Sequence, residues 1–225
     1  FYCDNQGPWN GTSSLKHLTP GSFQGHPGGF GWFDLDEVKK AMGPEHEKPK
    51  DGSRFHEEMD RLPHFRPPAV LLPHGTVGNS ASGIAPDVSK GKFGPFKEQL
   101  FVADQTHSVI NRCFLEKING YYQGACFPFV KGFGSGNVPV VQAPDGSLFS
   151  GGTDRGWGAR GGKRYALDRV VWTGETPFEI LEMRIQKDGF ELEFTKPVSK
   201  ASAESVGSYE MKTHTYIFQG KYGSP

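Results

Sequence analysis

The residue types in this sequence that could do chemistry are two histidines and a group of basic side chains in polar loops. His74 and His107 carry imidazoles that titrate near neutral pH, so each is a candidate general base or ligand-binding group. Arg155, Arg160 and Lys163 follow one another in a glycine-rich segment and are candidates to hold an anionic group such as a carboxylate. The alternatives are a structural or surface role for each histidine and a solvated face for the cations.

Two further interpretations bear on these residues. Asp154 precedes the cations and could pin its own loop by accepting hydrogen bonds from backbone amides. The histidines are scattered along the chain without a ligand spacing such as HExxH, which argues against a mononuclear His-rich metal site.

Short strands must position these loops, and the segment from Gln99 to Trp172 predicts them. Asn119-Gly120 is typical of a hairpin turn, and Pro144-Asp145-Gly146 predicts another because proline fixes φ and glycine accepts a positive φ. Units of four short antiparallel strands with a polar loop at one end are typical of β-propeller blades, so we predict an all-β fold. The predicted strands cover 99–103, 109–115, 121–129, 138–143, 147–152 and 164–172.

The segments on either side have a different character. Between 34 and 66 we predict two short helices, one capped by Asp34 and stopped at Gly43, the other capped by Ser53 and ended before Pro63. After Pro177 the sequence alternates strictly between apolar and charged residues over 178–185 and 190–194, which predicts half-buried strands of a small sandwich.

Composition and charge limit the classes of function. A formal net charge of +0 gives no electrostatic reason to expect nucleic acid or an anionic membrane as a partner. No apolar run approaches the roughly 20 residues that a membrane-spanning helix needs. Cys113 and Cys126 fall on neighbouring predicted strands, where they are either buried thiols or a disulfide. Because the chain begins at Phe1 in what reads as the middle of a fold, we expect it to be part of a longer protein.

Two groups of motifs carry a resemblance to a known family. The first is Asp-Asn-Gln-Gly-Pro at 4–8 with Gly-His-Pro at 25–27, and the second is Gly-Gly-Thr-Asp-Arg-Gly-Trp-Gly at 151–158 with Val-Trp-Thr-Gly at 171–174. They resemble the soluble glucose and sorbosone dehydrogenase-like proteins, which are six-bladed β-propellers dependent on pyrroloquinoline quinone (PQQ) and calcium. The likeness is greatest to large planctomycete-type relatives in which a small Ig-like sandwich follows the propeller.

The resemblance implies a partial six-bladed β-propeller followed by the first strands of a small β-sandwich. The expected organisation is the end of one blade with the Gly-Pro loop at 1–33, a partly helical surface insertion at 34–66, the last propeller blades at 67–176 and the start of the sandwich at 177–225.

The resemblance also implies a site at one mouth of the ring, where five loops would converge. In the family the carbonyl oxygens of the Gly-Pro pair bind calcium, and the matching residues are Gly7 and Pro8. The expected loops cover 7–10, 74–80, 105–108, 132–137 and 154–163. The cofactor-binding candidates there are His74, Thr106, His107, Asp154, Arg155, Arg160 and Lys163.

The sequence also departs from the family pattern. The lysine and two arginines that grip the quinone carboxylates align with Thr106, Gly136 and Val138, and the tyrosine that lines the quinone falls near Ala69. The catalytic histidine of the family belongs to an early blade that this chain lacks. A complete quinone site therefore needs residues from outside these 225 residues.

Three hypotheses of function follow. The first is part of a calcium- and quinone-dependent oxidoreductase that transfers hydride from a sugar or other alcohol to PQQ. The second is a non-catalytic propeller that binds a glycan or protein partner at the same mouth. The third is a structural subunit of a larger complex. Family membership would imply the periplasm or the cell exterior.

Overall fold

The structure is a computed structural model that describes residues 1–43, 45 and 47–224. It is mostly β-structure, which confirms the all-β prediction at that level. The strands are β1 (Tyr2–Asp4), β2 (Ser13–Lys16), β3 (Val70–Leu72), β4 (Ala81–Pro86), β5 (Leu100–Asp104), β6 (Val109–Ile118), β7 (Tyr121–Lys131), β8 (Asn137–Gln142), β9 (Leu148–Thr153), β10 (Tyr165–Val170), β11 (Ile180–Gln186) and β12 (Gly189–Phe194). The helices are α1 (Asp36–Met42), α2 (Phe55–Arg61) and α3 (Lys200–Ala203), with 3-10 turns at Pro27–Trp32 and Val206–Ser208.

The strands form three consecutive antiparallel sheets and one separate hairpin. The sheets are β1-β2-β3, β4-β5-β6-β7 and β8-β9-β10, each with its strands in chain order, and the hairpin is β11-β12. The first strands of the three sheets are neighbours, because β4 lies against both β1 and β8. Neighbouring strands are thus consecutive in the chain, although residues 17–69 separate β2 from β3, and the short hairpins that the sequence predicted join β6 to β7 and β8 to β9.

The turn residues act as their chemistry predicts. Asn119 and Gly120 both have positive φ, at +49° and +87°, which is the requirement of the tight turn between β6 and β7. Gly146 has φ of +92°, and its N–H donates to the Ala143 carbonyl at 2.9 Å to close the turn between β8 and β9. These two turns fix the register of the strands that follow.

Two apolar layers hold the three sheets together. One contains Leu15, Val102 and Cys113 between the first and second sheets. The other contains Phe101 and Leu148 between the second and third sheets. Burying these aliphatic and aromatic groups is the main favourable contribution to folding.

The third sheet has one buried and one exposed face. Val140 and Leu148 point into the core beside the second sheet, whereas Val141, Phe149 and Leu167 lie on the outer face and are exposed. The alternation follows from the two-residue period of a strand.

The segment from 34 to 66 contains both predicted helices, but each begins later than its predicted cap. Leu35, not Asp34, precedes α1, and Arg54, not Ser53, precedes α2. The Ser53 hydroxyl instead donates to the Lys50 carbonyl at 2.7 Å, and the Arg54 N–H donates to the Glu57 carboxylate at 2.7 Å. The Ser53 hydroxyl therefore closes the preceding turn and does not cap α2.

The C-terminal segment begins with the two strands that the alternating pattern predicted. They pair as the hairpin β11-β12, and the described residues after β12 add no further strand. Further on, Phe218 is buried with Phe23, Phe30 and Phe65 of the first 66 residues. Backbone hydrogen bonds join Phe218 to Gly52 and Ser53. Phe218 thus packs in a core that residues 1–33 share with the insertion.

The three cysteines are free thiols. Cys113 lies directly opposite Cys126 in the β6–β7 pairing and is fully buried. The interpretation of these residues as buried thiols, and not as a disulfide, agrees with this arrangement. No helix in the described part of the chain is both long and apolar enough to cross a bilayer.

Candidate functional site

The five predicted loops lie at the same end of the three sheets, since each follows an odd-numbered strand from β1 to β9. The strand registers bring neighbouring loops together: Ala81 pairs with Asp104, and Val109 pairs with Lys131. The first loop joins this end through Ser13, whose hydroxyl donates to the Asn79 carbonyl at 3.3 Å. We call this region the loop end.

Asp104 fixes two of the loops to the end of β5. Its carboxylate is fully buried and accepts backbone N–H groups from Asn79 at 2.7 Å, Ser80 at 2.8 Å and His107 at 2.7 Å. Three such bonds satisfy most of the acceptor capacity of a carboxylate, so Asp104 has a positioning role.

Thr106 joins three loops through its side chain and backbone. Its hydroxyl donates to Ser80 Oγ at 3.0 Å and accepts the indole N–H of Trp157 at 2.7 Å. Its carbonyl accepts the N–H of Arg160 at 3.0 Å. The Trp157 ring is held at its nitrogen edge while 56% of the residue remains exposed. The loop end therefore presents a fixed aromatic surface to solvent.

The remaining contacts tie the longest loop to the others. Gln105 Nε2 donates to the carbonyls of Thr153 at 3.2 Å and Trp157 at 3.3 Å. The Lys163 N–H donates to the Gly134 carbonyl at 3.0 Å, and the Gly161 N–H donates to Ser108 Oγ at 2.9 Å. Four of the five predicted loops thus form one hydrogen-bonded unit.

His107 is the buried imidazole of this unit. Only 7% of the residue is exposed, and neither imidazole nitrogen has a hydrogen-bond partner among the described residues. Burial lowers the pKa of His107, the Asp104 carboxylate opposes this shift, and Arg160 and His74 add to it. The side chain is therefore neutral at neutral pH, with one N–H donor and one acceptor nitrogen to offer.

The other predicted residues lie at the rim. His74, Arg155, Arg160 and Lys163 are exposed, and the charges of His74 and Arg160 reach His107. Asp154 is half-buried, but the Thr153 hydroxyl, not the Asp154 carboxylate, accepts the N–H of Arg155 at 3.0 Å. The predicted pinning role of Asp154 is thus performed by its neighbour.

Gly7 does not fit the predicted role of calcium ligand. Its carbonyl oxygen accepts two backbone N–H groups, from Asn10 and from Gly223, each at 3.1 Å. These bonds use both lone pairs of the oxygen. The Trp9 N–H donates to Gln219 at 2.7 Å, so the C-terminal tail covers this loop beside the exposed Pro8. Within the described ranges, no group of three or more His, Cys, Asp or Glu side chains is arranged to hold a metal ion.

A second concave region lies away from the loop end, between α1 and the segment after β2. We call it the insertion groove. Trp32, Phe23 and Met42 line it together with His26 and Arg66, and Trp32 is 65% exposed. Its exposed Trp32 lies outside the five loops and can therefore be compared with Trp157 of the loop end.

Sequence reasoning did not select Trp157 or Lys131 as site residues. Trp157 stands within a quoted motif, but its bond to Thr106 spans 51 positions and has no local signal. Lys131 ends β7, and only the pairing of that strand with β6 brings it near His107 and Arg160. Comparison with protein-family models, with curated proteins and with solved structures gave no match for this chain. The family resemblance therefore stays a prediction that rests on the sequence motifs alone.

Proposed function

We propose that this chain forms consecutive blades of a β-propeller and acts as a binding module that takes a carbohydrate at the loop end. The observation that carries the proposal is Trp157, whose exposed ring is fixed by its bond to Thr106 among loops rich in hydroxyl and amide groups. A rigid indole face beside hydrogen-bonding side chains suits the apolar face and hydroxyl rim of a sugar ring.

The arrangement of the sheets supports the propeller part of the proposal. Three meander sheets follow one another, with β1, β4 and β8 side by side and their loops at one end. Consecutive blades of a propeller have this order. The exposed apolar face around Val141, Phe149 and Leu167 is the surface that a further blade would cover.

A quinone-dependent sugar or alcohol dehydrogenase is the second candidate, and the rim cations favour it. Arg155, Arg160 and Lys163 are suitable partners for the carboxylates of PQQ. When bound, such a quinone would accept hydride from the substrate. The occupied Gly7 carbonyl weighs against the calcium that this chemistry uses in the family. We therefore rank the binding module first.

The two candidates differ in turnover. Titration calorimetry of the chain with glucose and with cellobiose, in the presence of a calcium chelator, should detect binding. The Trp157→Ala variant should lose about tenfold or more in affinity, since a loss of about 1.4 kcal/mol is tenfold. Trp32→Ala is the matched control, because it removes an exposed tryptophan from the insertion groove.

Because the resemblance implies a quinone site that needs residues from outside these 225, dye reduction is measured on the full-length protein with glucose, PQQ and calcium, and it should stay at background. Turnover that requires both PQQ and calcium would show that the dehydrogenase, and not the binding module, is the correct function. If Trp157→Ala and Trp32→Ala lose the same carbohydrate affinity, the loop end is not the carbohydrate site.

A further inference from the structure

We propose that His107, Arg160 and Lys131 form an oxyanion subsite at the loop end, which takes the carboxylate or phosphate group of a small ligand. The subsite deepens the proposed function, because it would bind an acidic group of the ligand in the same set of hydrogen-bonded loops as Trp157 and so rests on binding at the loop end.

Two neighbouring cavities meet at His107. One has a volume of about 330 Å³ and includes Gly132 and Gly161 in its wall. The other has a volume of about 380 Å³ and includes Asn111 and Thr76. Both are lined by the same four residues, which are His107, Val109, Lys131 and Arg160. The space beside the imidazole is therefore large enough for a small acidic group with part of the molecule that carries it.

The imidazole of His107, which lacks hydrogen-bond partners among the described residues, favours a ligand with a hydrogen-bonding oxygen in this space. Buried polar atoms nearly always have a hydrogen-bond partner, and leaving one without a partner is unfavourable. In His107 neither ring nitrogen has a partner among the described residues, although the residue is more than nine-tenths buried. A ligand oxygen could accept the N–H of the neutral ring.

The charges around the cavities favour an anion. Arg160 and Lys131 are exposed cations, and neither forms an ion pair with a carboxylate among the described residues. His74 and Asp104 are the other titratable groups that act on His107. The Asp104 carboxylate accepts three backbone N–H groups and forms no ion pair with either cation, so both cations remain to interact with a ligand. A planar guanidinium and an ammonium are the partners that carboxylate and phosphate oxygens prefer.

The test is an NMR titration of the chain with inorganic phosphate, with sodium glucuronate and with glucose, observed at the His107 ring nitrogens. A bound oxyanion stabilises the protonated ring, so phosphate or glucuronate should move the His107 resonances and shift its titration to higher pH. Glucose should do neither.

Arg160→Gln should weaken anion binding about tenfold, because it removes a charge-assisted hydrogen bond. Lys187→Gln, in the turn between β11 and β12, makes the same change in net charge away from the cavities and should bind as the unaltered chain does.

The two anions distinguish the source of the oxyanion. Tighter binding of glucuronate assigns the subsite to an acidic sugar, and equal or tighter binding of phosphate assigns it to a phosphate group. The subsite is ruled out if neither anion changes the His107 ring resonances. It is also ruled out if Arg160→Gln binds the anions with the same affinity as the unaltered chain. Glucose binding together with a His107 ring that responds to neither anion would leave the carbohydrate module intact and remove the subsite, whereas an anion response without any sugar binding would leave only the subsite.

Discussion

Arg112 shows how one buried charge can determine the position of a whole element. It has no solvent exposure, and its guanidinium donates to the carbonyls of Leu181 at 2.9 Å and Ile180 at 2.6 Å and to the Gln99 side chain. Glu179 supplies an ion pair at 3.4 Å. These contacts join β6 of the second sheet to β11 of the hairpin.

Removing this charge should therefore loosen the hairpin. Arg112→Met should lower the free energy of unfolding by about 3–5 kcal/mol, the cost of breaking a buried, hydrogen-bonded ion pair. Urea denaturation measures it, and faster amide exchange in β11 would locate the effect. Arg169→Met, which breaks a half-exposed pair with Asp145, should cost less than about 1 kcal/mol. Equal costs in the two variants would contradict this account.

His107 should make the stability depend on pH. Its pKa in the folded chain lies below the ordinary 6.5, so the unfolded chain binds more protons as the pH falls below that value. The stabilisation is thus complete above pH 6.5 and is lost as the pH falls toward the folded pKa. Burial lowers the pKa of His17 too, and it contributes with the same sign.

Urea unfolding in slightly acidic and in slightly alkaline buffer measures this dependence. The difference between the two buffers should be smaller in His107→Asn than in the unaltered chain. A difference that does not change would show that His107 titrates normally in the folded state.

The cysteines should resist alkylation while the chain is folded. Burial raises the pKa of Cys3 to about 12, and a hydrogen bond with the Cys126 thiol, together with burial, raises the pKa of Cys113 well above its usual range. Because the thiolate is the nucleophile, mass spectrometry after iodoacetamide should find Cys3 and Cys113 unmodified in buffer and modified in guanidinium. Rapid labelling of either residue in the folded chain would contradict the arrangement of β1, β6 and β7.

At the scale of elements, the loop after β9 depends on one close contact. A methyl group at Gly161 would lie 2.5 Å from the Ser135 nitrogen and 2.6 Å from the Phe133 carbonyl oxygen, whereas one at Gly158 would meet nothing within 4 Å. Gly161→Ala should therefore cost about 1–3 kcal/mol and separate this loop from the one after β7, and Gly158→Ala should change stability by less than about 0.5 kcal/mol.

Thermal unfolding of the two variants measures this difference. Equal melting temperatures would show that the two loops do not touch as described.

The sequence predicted β5 to β10 closely, because most of them adjoin a strong turn signal such as Asn119-Gly120 or Gly146, whereas β4 at Ala81–Pro86 was not predicted. The helix starts were displaced because a serine can bond equally well to a nearby carbonyl, as Ser53 does with Lys50. An alternating pattern such as 178–185 predicts a strand but not its neighbours, so the number of strands in the C-terminal sheet could not be derived from it.

At the scale of the molecule, the site is made by long-range pairing. The sequence selected His107 and Arg160 by residue type, but their shared cavities exist only because Gly161 binds Ser108 and β7 pairs with β6. The same holds for the Gly7 carbonyl, whose partner Gly223 lies at the other end of the chain. Contacts of this separation leave no local pattern, which is why the occupied carbonyl could not be foreseen.

If the loops of three separate sheets form one ligand site, a titration with glucose or with glucuronate should shift the backbone amide resonances of all these loops. We expect saturable shifts grouped in 74–80, 105–108, 132–137 and 154–163, with Trp157 among the most affected. Shifts confined to the insertion groove around Trp32, or an unchanged spectrum with both sugars, would contradict it.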